Sequence, residues 1–464
     1  MSQVNRAGKI VRIATLVIAA LVIGYALSDH PLYGGVPGFG KGQMLILGIG
    51  LGLVACTLLP LSLNKIALLL SGSMLFTLIV AEIGGELLLA PRYRAPYVED
   101  ADRLFKLLPG ARSVTTRMAV NGGETIYHQI NSDGFRGPEL EDGSKTRVMV
   151  YGDSFIHAAY SEDKNSLVGQ LDALLSEKLG REVEVINAGV SSYGPDQVLV
   201  RLDAELDRYK PDLVLVAVFA GNDYGDLLRN KIFELDANGQ MVRNDFELAG
   251  FVKERFQMSR SESVIKRAVR GVFSTPKSPF VGLDETKDSD IALMDWWLAE
   301  ARREYEDTVI NKDNLVTNTH VDHYSADLSL EPRSPSAEYK VRLMNAVLAG
   351  IHEKLRLRGI PDTFLFIPHP IDVVEDYECC GRIERPRFPD YDRRNLVAPL
   401  EGLAKARGIP FVSFYDHFKQ KGAENFYFVG GDDHWNDAGQ RLAAEVVSDF
   451  LLEEGLLRRG PSSN

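Results

Sequence analysis

Cysteine is scarce, with three in 464 residues. Cys56 falls in an apolar run, and Cys379 and Cys380 are adjacent, so neither a disulfide framework nor a cysteine-based zinc pattern is present. An excess of positive charge is also lacking. The formal net charge is −12, and the first 95 residues hold seven of the basic residues and three of the acidic ones. Everything after them therefore carries 45 basic and 61 acidic side chains, a net of −16. A surface of that sign excludes nucleic acid and anionic lipid as the main partners of this part of the chain. A nucleotide-binding loop is only half written. Gly35 to Lys41 fits G-x-x-x-x-G-K, but Gly42 stands where a Ser or Thr would hold magnesium, and no strand precedes it.

What the amino-terminal part has in quantity is apolar sequence. Ile10 to Leu27, Met44 to Leu63 and a run opening at Ile66 and reaching Ala81 each approach the roughly 20 residues that span a bilayer core. Arg6, Lys9 and Arg12 at the front favour a cytoplasmic amino terminus, so about three crossings would leave the chain after Pro91 outside. Ala26-Leu27-Ser28 offers a weak cleavage site for the first run, and removal there would leave the large domain outside as well. Glu82 and Glu86, one helical turn apart, read as headgroup-level residues at the outer end of the third run. The expected domains are a membrane region at 1–91, an approach segment at 92–146 with a β-hairpin turning on Asn121-Gly122-Gly123, and an α/β domain at 147–458.

The α/β domain alternates short apolar strands with amphipathic helices, the pattern of a mostly parallel sheet covered on both faces. Predicted strands are Val148–Tyr151, Val183–Ile186, Leu213–Phe219, Phe364–Ile367 and Phe411–Phe414. Helical stripes run through Leu167 to Leu179, from Pro195 to Tyr209, over Ala337–Arg358, near Arg394–Arg407, and through Leu442, Val446 and Phe450. Residues 224–336 break the rhythm. They read as an insertion beside the ligand-binding edge of the sheet, with a hairpin at Lys231–Val242 and a helix at Ile291–Tyr305. That insertion is expected to close over Ser154 or extend its rim.

Chemistry gathers at the strand ends. Gly152-Asp153-Ser154 follows the first strand, Asn187-Ala188-Gly189 the second, and Gly221-Asn222-Asp223 the third. Gly431-Asp432-Asp433-His434-Trp435 follows the last. A serine hydroxyl needs a base to take its proton and a carboxylate to orient that base. Ser154, His434 and Asp432 supply the three parts. Asp432 lies two residues before the histidine and can turn back to it, whereas Asp433 is adjacent and less able to fold back. The oxyanion of a tetrahedral intermediate needs fixed donors. The Ser154 N–H, the Gly189 N–H (with no side chain to block a substrate) and the Asn222 amide are the candidates. His320-Val321-Asp322-His323 is a short cluster that could ligate a metal, Trp296 and Trp297 fit a packed helix face or a sugar site, and His369 follows a strand near the site.

These blocks, in this order, resemble the SGNH (GDSL-like) hydrolase superfamily, over about residues 147–454 with the insertion excluded. The resemblance implies a flavodoxin-like three-layer sandwich and acyl-ester chemistry with no metal or other cofactor. The third block departs from the usual G-x-N-D, since Gly221 directly precedes Asn222. The usual acid position three before the histidine is Gly431, and Asp432 instead fits the D-x-H-W variant of alginate-type O-acetyltransferase relatives. Asn131 to Gly137 also resembles an N-x-x-G-F-R-G segment preceding the serine in membrane-anchored relatives.

The expected activity is that of a membrane-anchored serine esterase acting on O-acyl, above all O-acetyl, esters of surface or exported glycans. With a sugar hydroxyl instead of water as acceptor it would be an O-acyltransferase. The rival from another class is a non-catalytic assembly factor whose spans dock a membrane acyltransferase or exporter. The expected partners are thus an acylated glycan or other ester, the lipid bilayer and such a membrane protein, with no nucleic acid.

Overall fold

The computed structural model describes residues 2–27, 41–93, 97–141, 145–250, 293–317, 323–375, 387–430 and 432–457. Gly35 to Gly40, Cys379-Cys380, His320, Asp322 and Gly431 lie outside them. The chain divides into two compact units at about Ala95–Pro96.

The first unit contains helices α1 (Ser2–Leu27), α2 (Lys41–Cys56) and α3 (Leu61–Tyr93). The expected second run, Met44 to Leu63, is cut by Pro60, whose ring and missing N–H cannot continue a helix. α2 therefore stops at Cys56 after 16 residues, ~24 Å at 1.5 Å per residue, short of a bilayer core of about 30 Å. Among the described residues, two segments are long and apolar enough to cross a membrane, Gly8–Leu27 and Leu61–Gly84, and Ile46–Cys56 is shorter. α3 continues through Glu82 and Glu86 to Tyr93. Inside this unit the buried Thr15 donates to Asn64 Oδ1 at 2.9 Å, and Asn64 Nδ2 donates to the Cys56 carbonyl at 3.1 Å.

The second unit opens with two hairpins, β1 (Tyr97–Asp100) with β2 (Leu104–Leu107), and β3 (Arg112–Thr116) with β4 (Thr125–Gln129). The first was not visible in the sequence; the second turns on Asn121-Gly122-Gly123 as expected. β5 (Thr146–Gly152) then enters the sheet, followed by a four-residue helix α4 (Ser154–His157) and by α5 (Leu167–Leu179). β6 (Val183–Gly189), α6 (Pro195–Tyr209), β7 (Leu213–Phe219) and α7 (Asp223–Asn230) continue the alternation. Next come the short hairpin β8 (Phe233–Leu235) with β9 (Met241–Arg243), around Gly239 at φ +76°, and the two-residue strand β10 (Glu247–Leu248). Helix α8 (Leu293–Tyr305) precedes β11 (Leu315–Val316), which pairs with β10. The long helix α9 (Pro335–Leu357), β12 (Asp362–Ile367), a single turn α10 (Pro370–Val373), α11 (Ala398–Arg407), β13 (Phe411–Ser413), α12 (Phe414–Lys421) and α13 (Asp437–Glu453) complete the chain.

The five long-range strands form one parallel sheet in the order β6-β5-β7-β12-β13. In order of appearance this is 2-1-3-4-5, the flavodoxin-like doubly wound arrangement. All seven residues of β7 are buried, as a strand covered on both faces requires. α5 packs with α13 on one face, and α6 packs with α9 on the other. Strand order reverses between β5 and β7, and such a switch point is where open α/β sheets bind their ligands.

The expected insertion at 224–336 is corrected in part. α7 belongs to the core, with all eight of its residues buried. Trp297 and Met294 of α8 are buried in the main apolar cluster, and the Trp297 ring packs 5.1 Å from Tyr324. Arg229 of α7 is tied to Glu304 of α8 at 3.0 Å with both groups buried, where an unpaired charge would be costly. Ser325 donates its N–H to the Gly221 carbonyl at 2.7 Å. The described part of this segment is therefore built into the domain, and residues 251–292 lie outside the described residues.

Candidate active site

Ser154 stands where β5 gives way to α4. Gly152 ends the strand because a side chain there has no room: a Cβ would meet Ile156 Cγ1 at 2.6 Å and Ala217 Cβ at 2.9 Å. Asp153 caps the short helix, its carboxylate accepting the Phe155 N–H at 2.9 Å, and Ala158 closes it in the left-handed region at φ +49°. Ser154 thus occupies the first helical position at the sheet's switch point, flanked by backbone whose conformation is fixed on both sides.

Gly189 pairs with Gly152 in the register of β5 and β6. Its missing side chain makes room for the backbone of the nucleophile turn, since a Cβ would meet the Ile156 carbonyl carbon at 2.7 Å and the His157 nitrogen closer still. This corrects the expectation that the space serves a substrate. The Gly189 N–H also donates to Asn187 Oδ1 at 3.0 Å, while Asn187 Nδ2 donates to the Ile156 carbonyl at 2.8 Å. As an oxyanion donor, Gly189 would have to exchange that bond. Asn222, buried, begins α7 at the end of β7, the strand next to β5.

His434 arrives from the far end of the sequence. Its ring lies 5.2 Å from Phe155, the residue after Ser154, and 5.6 Å from Tyr160. The neighbouring Trp435 is buried among Phe155, Phe414 and Phe418, with ring centroids 5.0–5.2 Å away, and so anchors the loop. Gln440 of α13 donates to the Phe155 carbonyl at 3.2 Å, and Asn436 caps α13 by accepting from Ala438 and Gly439. Asp432 Oδ1 accepts from His434 Nδ1 at 2.7 Å and from the His434 backbone N–H at 3.0 Å. Asp433 does fold back, against expectation, and its Oδ1 lies 3.2 Å from the same Nδ1.

Burial works against a charged His434, but the Asp432 and Asp433 carboxylates outweigh it and raise the imidazole to about 10. Burial likewise works to raise Asp432, and the facing imidazolium overrides that and holds its carboxyl low. Tyr160 is pushed up to about 12 by burial and then by the same two acids. A third group sits behind the pair. His369 Nδ1 accepts the Ile371 N–H at 3.2 Å, so its proton is on Nε2, which lies 3.8 Å from Asp433 Oδ2. Burial pushes this imidazole down to about 3 and keeps it neutral. A side chain on Gly221 would meet His369 Cδ2 at 2.8 Å, which accounts for the glycine directly before Asn222.

The structure brings Ser154, His434 and Asp432 to one edge of the sheet, with Gly189 at the end of β6 and Asn222 just beyond β7, the two strands that flank β5. Asp432, Asp433 and His434 offer ligand atoms within 4.8 Å of one another. A cation there would compete with the proton that His434 Nδ1 shares with Asp432. His323, the described histidine of the 320–323 stretch, is buried with Nε2 3.1 Å from Glu304.

A family model described as the GDSL-like Lipase/Acylhydrolase family matches residues 150–334. Residues 150–334 are thus similar to a GDSL-like lipase/acylhydrolase domain. The GDSL-like hydrolase match contains Ser154, Gly189 and Asn222 and stops short of Asp432 and His434, which only the fold brings back to the serine. A search of curated proteins returned no match. Solved structures similar to this chain include two esterases. The psychrotrophic esterase EstA from Pseudoalteromonas sp. is 12% identical, with 67% of this chain and 98% of that one covered and a TM-score of 0.32. A catalytic mutant of the acetylxylan esterase Axe2 from Geobacillus stearothermophilus is 10% identical, with 67% and 96% covered and a TM-score of 0.34. At those scores neither bears on substrate.

Proposed function

We propose that this GDSL-like hydrolase is a membrane-anchored serine esterase working through Ser154, His434 and Asp432 on O-acyl, above all O-acetyl, esters of exported or surface glycans. The observation that carries this reading is the 2.7 Å Asp432–His434 pair packed on Phe155, the residue after Ser154. In the forward step, Ser154 Oγ attacks the ester carbonyl carbon and its proton passes to His434 Nε2. The tetrahedral oxyanion is held by the Ser154 N–H, the Asn222 amide and, after exchange with Asn187, the Gly189 N–H. Each such donor is worth ~3 kcal/mol of barrier. His434 then gives its proton to the departing alkoxide, leaving an acyl-serine. Water, deprotonated by the same imidazole, attacks that acyl group and regenerates Ser154. Asp432 fixes the tautomer throughout.

Membrane anchoring is supported by the two long apolar helices and the basic start. An extracytoplasmic domain requires α2 to cross as well, because two crossings from a cytoplasmic amino terminus would return the chain to the cytoplasm. A sugar hydroxyl taking the acyl group in place of water would make the enzyme an O-acyltransferase, and a membrane acyl donor would then be its partner. The test is hydrolysis of an aryl acetate and of an acetylated polysaccharide by the purified full chain. Acetate release that disappears in Ser154→Ala is expected. Release that survives Ser154→Ala contradicts the assignment. Acetyl transfer to added glycan without net acetate release favours the transferase.

A further inference from the structure

The sequence casts residues 97–141 as an approach to the hydrolase domain, yet the β3–β4 hairpin touches both loops that carry the reacting groups. Arg117, at the end of β3 and largely buried, is the joint. Its Nε donates to the Tyr160 carbonyl at 2.7 Å, in the loop that leaves the nucleophile helix. Its Nη2 donates to Asp437 Oδ1 at 2.7 Å, at the start of the helix that follows His434. The same guanidinium lies 5.4 Å over the ring of Phe428, whose N–H donates to the His434 carbonyl at 3.0 Å. Glu124 takes the remaining arm at 2.9 Å.

The hairpin tip holds the histidine loop a second time. Asn121 Nδ2 donates to the Val429 carbonyl at 2.8 Å while its Oδ1 accepts the Val429 N–H at 3.0 Å. The serine side is held by the segment that follows the hairpin. Buried Arg136 donates to the carbonyls of His157, Ala158 and Ser161 and pairs with Asp163 at 2.8 Å. A cation there faces the carbonyl end of the helix that begins with Ser154. That is a role for the N-x-x-G-F-R-G stretch.

We propose that Arg117 is a positioning residue of the esterase, setting the separation of the Ser154 and His434 loops, with the hairpin as its mount; this rests on the triad proposed above. A planar fork binding two oxygens from two loops fixes their relative placement in a way that a lysine cannot reproduce. Misplacement of reacting groups by about 1 Å costs about 10²-fold in rate.

The experiment uses the full chain and measures kcat and KM on an aryl acetate, the second-order rate of fluorophosphonate labelling, and thermal unfolding. Arg117→Gln is expected to lower kcat and the labelling rate together, by about 10²-fold, with KM within about twofold of wild type. Arg117→Lys should recover only part of the loss. Asp437→Asn should be slowed similarly, and the double variant should be no slower than the worse single one. Asn121→Ala, which leaves Arg117 in place, gives the same pattern at smaller size and stands in if Arg117→Gln does not fold. A rise in KM with kcat unchanged, losses that multiply, or full activity in folded Arg117→Gln and Asn121→Ala would overturn the proposal. Failure of the wild-type chain to label would instead count against the triad itself.

Discussion

The two halves of the candidate site are held in different ways. Ser154 is placed by backbone: a central strand, a glycine with no room for a methyl group on each of two neighbouring strands, and a capping aspartate one residue away. His434 is placed by side chains: its neighbour Trp435 in an aromatic nest and, from a distant part of the chain, Asn121 on Val429 and Arg117 on Asp437. A site built this way has one half that folds with the sheet and another that can be detuned without unfolding it. Substitutions on the serine side should lower stability and activity together, while those on the histidine side should separate the two.

The largest separation is expected at Asp432. Asp432→Asn should leave unfolding nearly unchanged and reduce kcat by roughly 10⁴, the scale seen when a triad histidine loses its orienting acid. Asp433→Asn giving the greater loss would reverse the assignment within that pair.

Gly189→Ala tests the other half. The added methyl group meets the backbone of Ile156 and His157, so overpacking should cost about 1–3 kcal/mol of stability and carry the nucleophile turn with it. A thermal melt and a kcat measurement on one preparation should fall together. Loss of activity with an unchanged melting temperature would show that the two halves are not held differently after all.

The serine half was legible in the sequence because its determinants are local. An apolar run ending in Gly-Asp-Ser, a second ending in Asn-Ala-Gly and a third ending in Gly-Asn-Asp each announce a strand and a turn within a few residues. Strict alternation with helices announced a mostly parallel sheet, while the flavodoxin-like arrangement came only from the family resemblance. The histidine half was legible only as far as Asp432 and His434, two residues apart. Arg117 and Asp437 are 320 positions apart, and nothing in either neighbourhood marks the contact. His369 was noticed at a strand end, but its tautomer depends on one backbone N–H from Ile371 that no spacing rule supplies. The 224–336 stretch looked like an insertion because its strands are short and its helices irregularly spaced. Its packing came from Trp297 and the Arg229–Glu304 pair, which pattern alone does not locate. Shortening that stretch is accordingly expected to impair aryl acetate and polymer hydrolysis alike.

The smallest effect should be at Asp433. With His434 raised to about 10 by the two acids, the free enzyme carries an imidazolium at neutral pH, and a general base must be neutral. Activity, measured as kcat/KM, should therefore climb as pH rises through the alkaline range. Asp433→Asn removes one of the charges that favour the proton, so the climb should move to lower pH, with the plateau changed less than about tenfold. The stability from the pair has the matching sign: it is fully present below the ordinary histidine value of 6.5 and is lost as pH rises through about 10. A climb that stays put, or moves to higher pH, would mean that Asp433 does not act on His434.

The central claim is that Ser154 is the nucleophile and that His434 activates it. The direct measurement is fluorophosphonate labelling of the full chain, followed by peptide mapping of the adduct. A single phosphonylated peptide carrying the adduct on Ser154, absent in Ser154→Ala and slowed at least about 10³-fold in His434→Ala, is predicted. An adduct on another serine, or labelling of Ser154 at an undiminished rate in His434→Ala, would contradict the account.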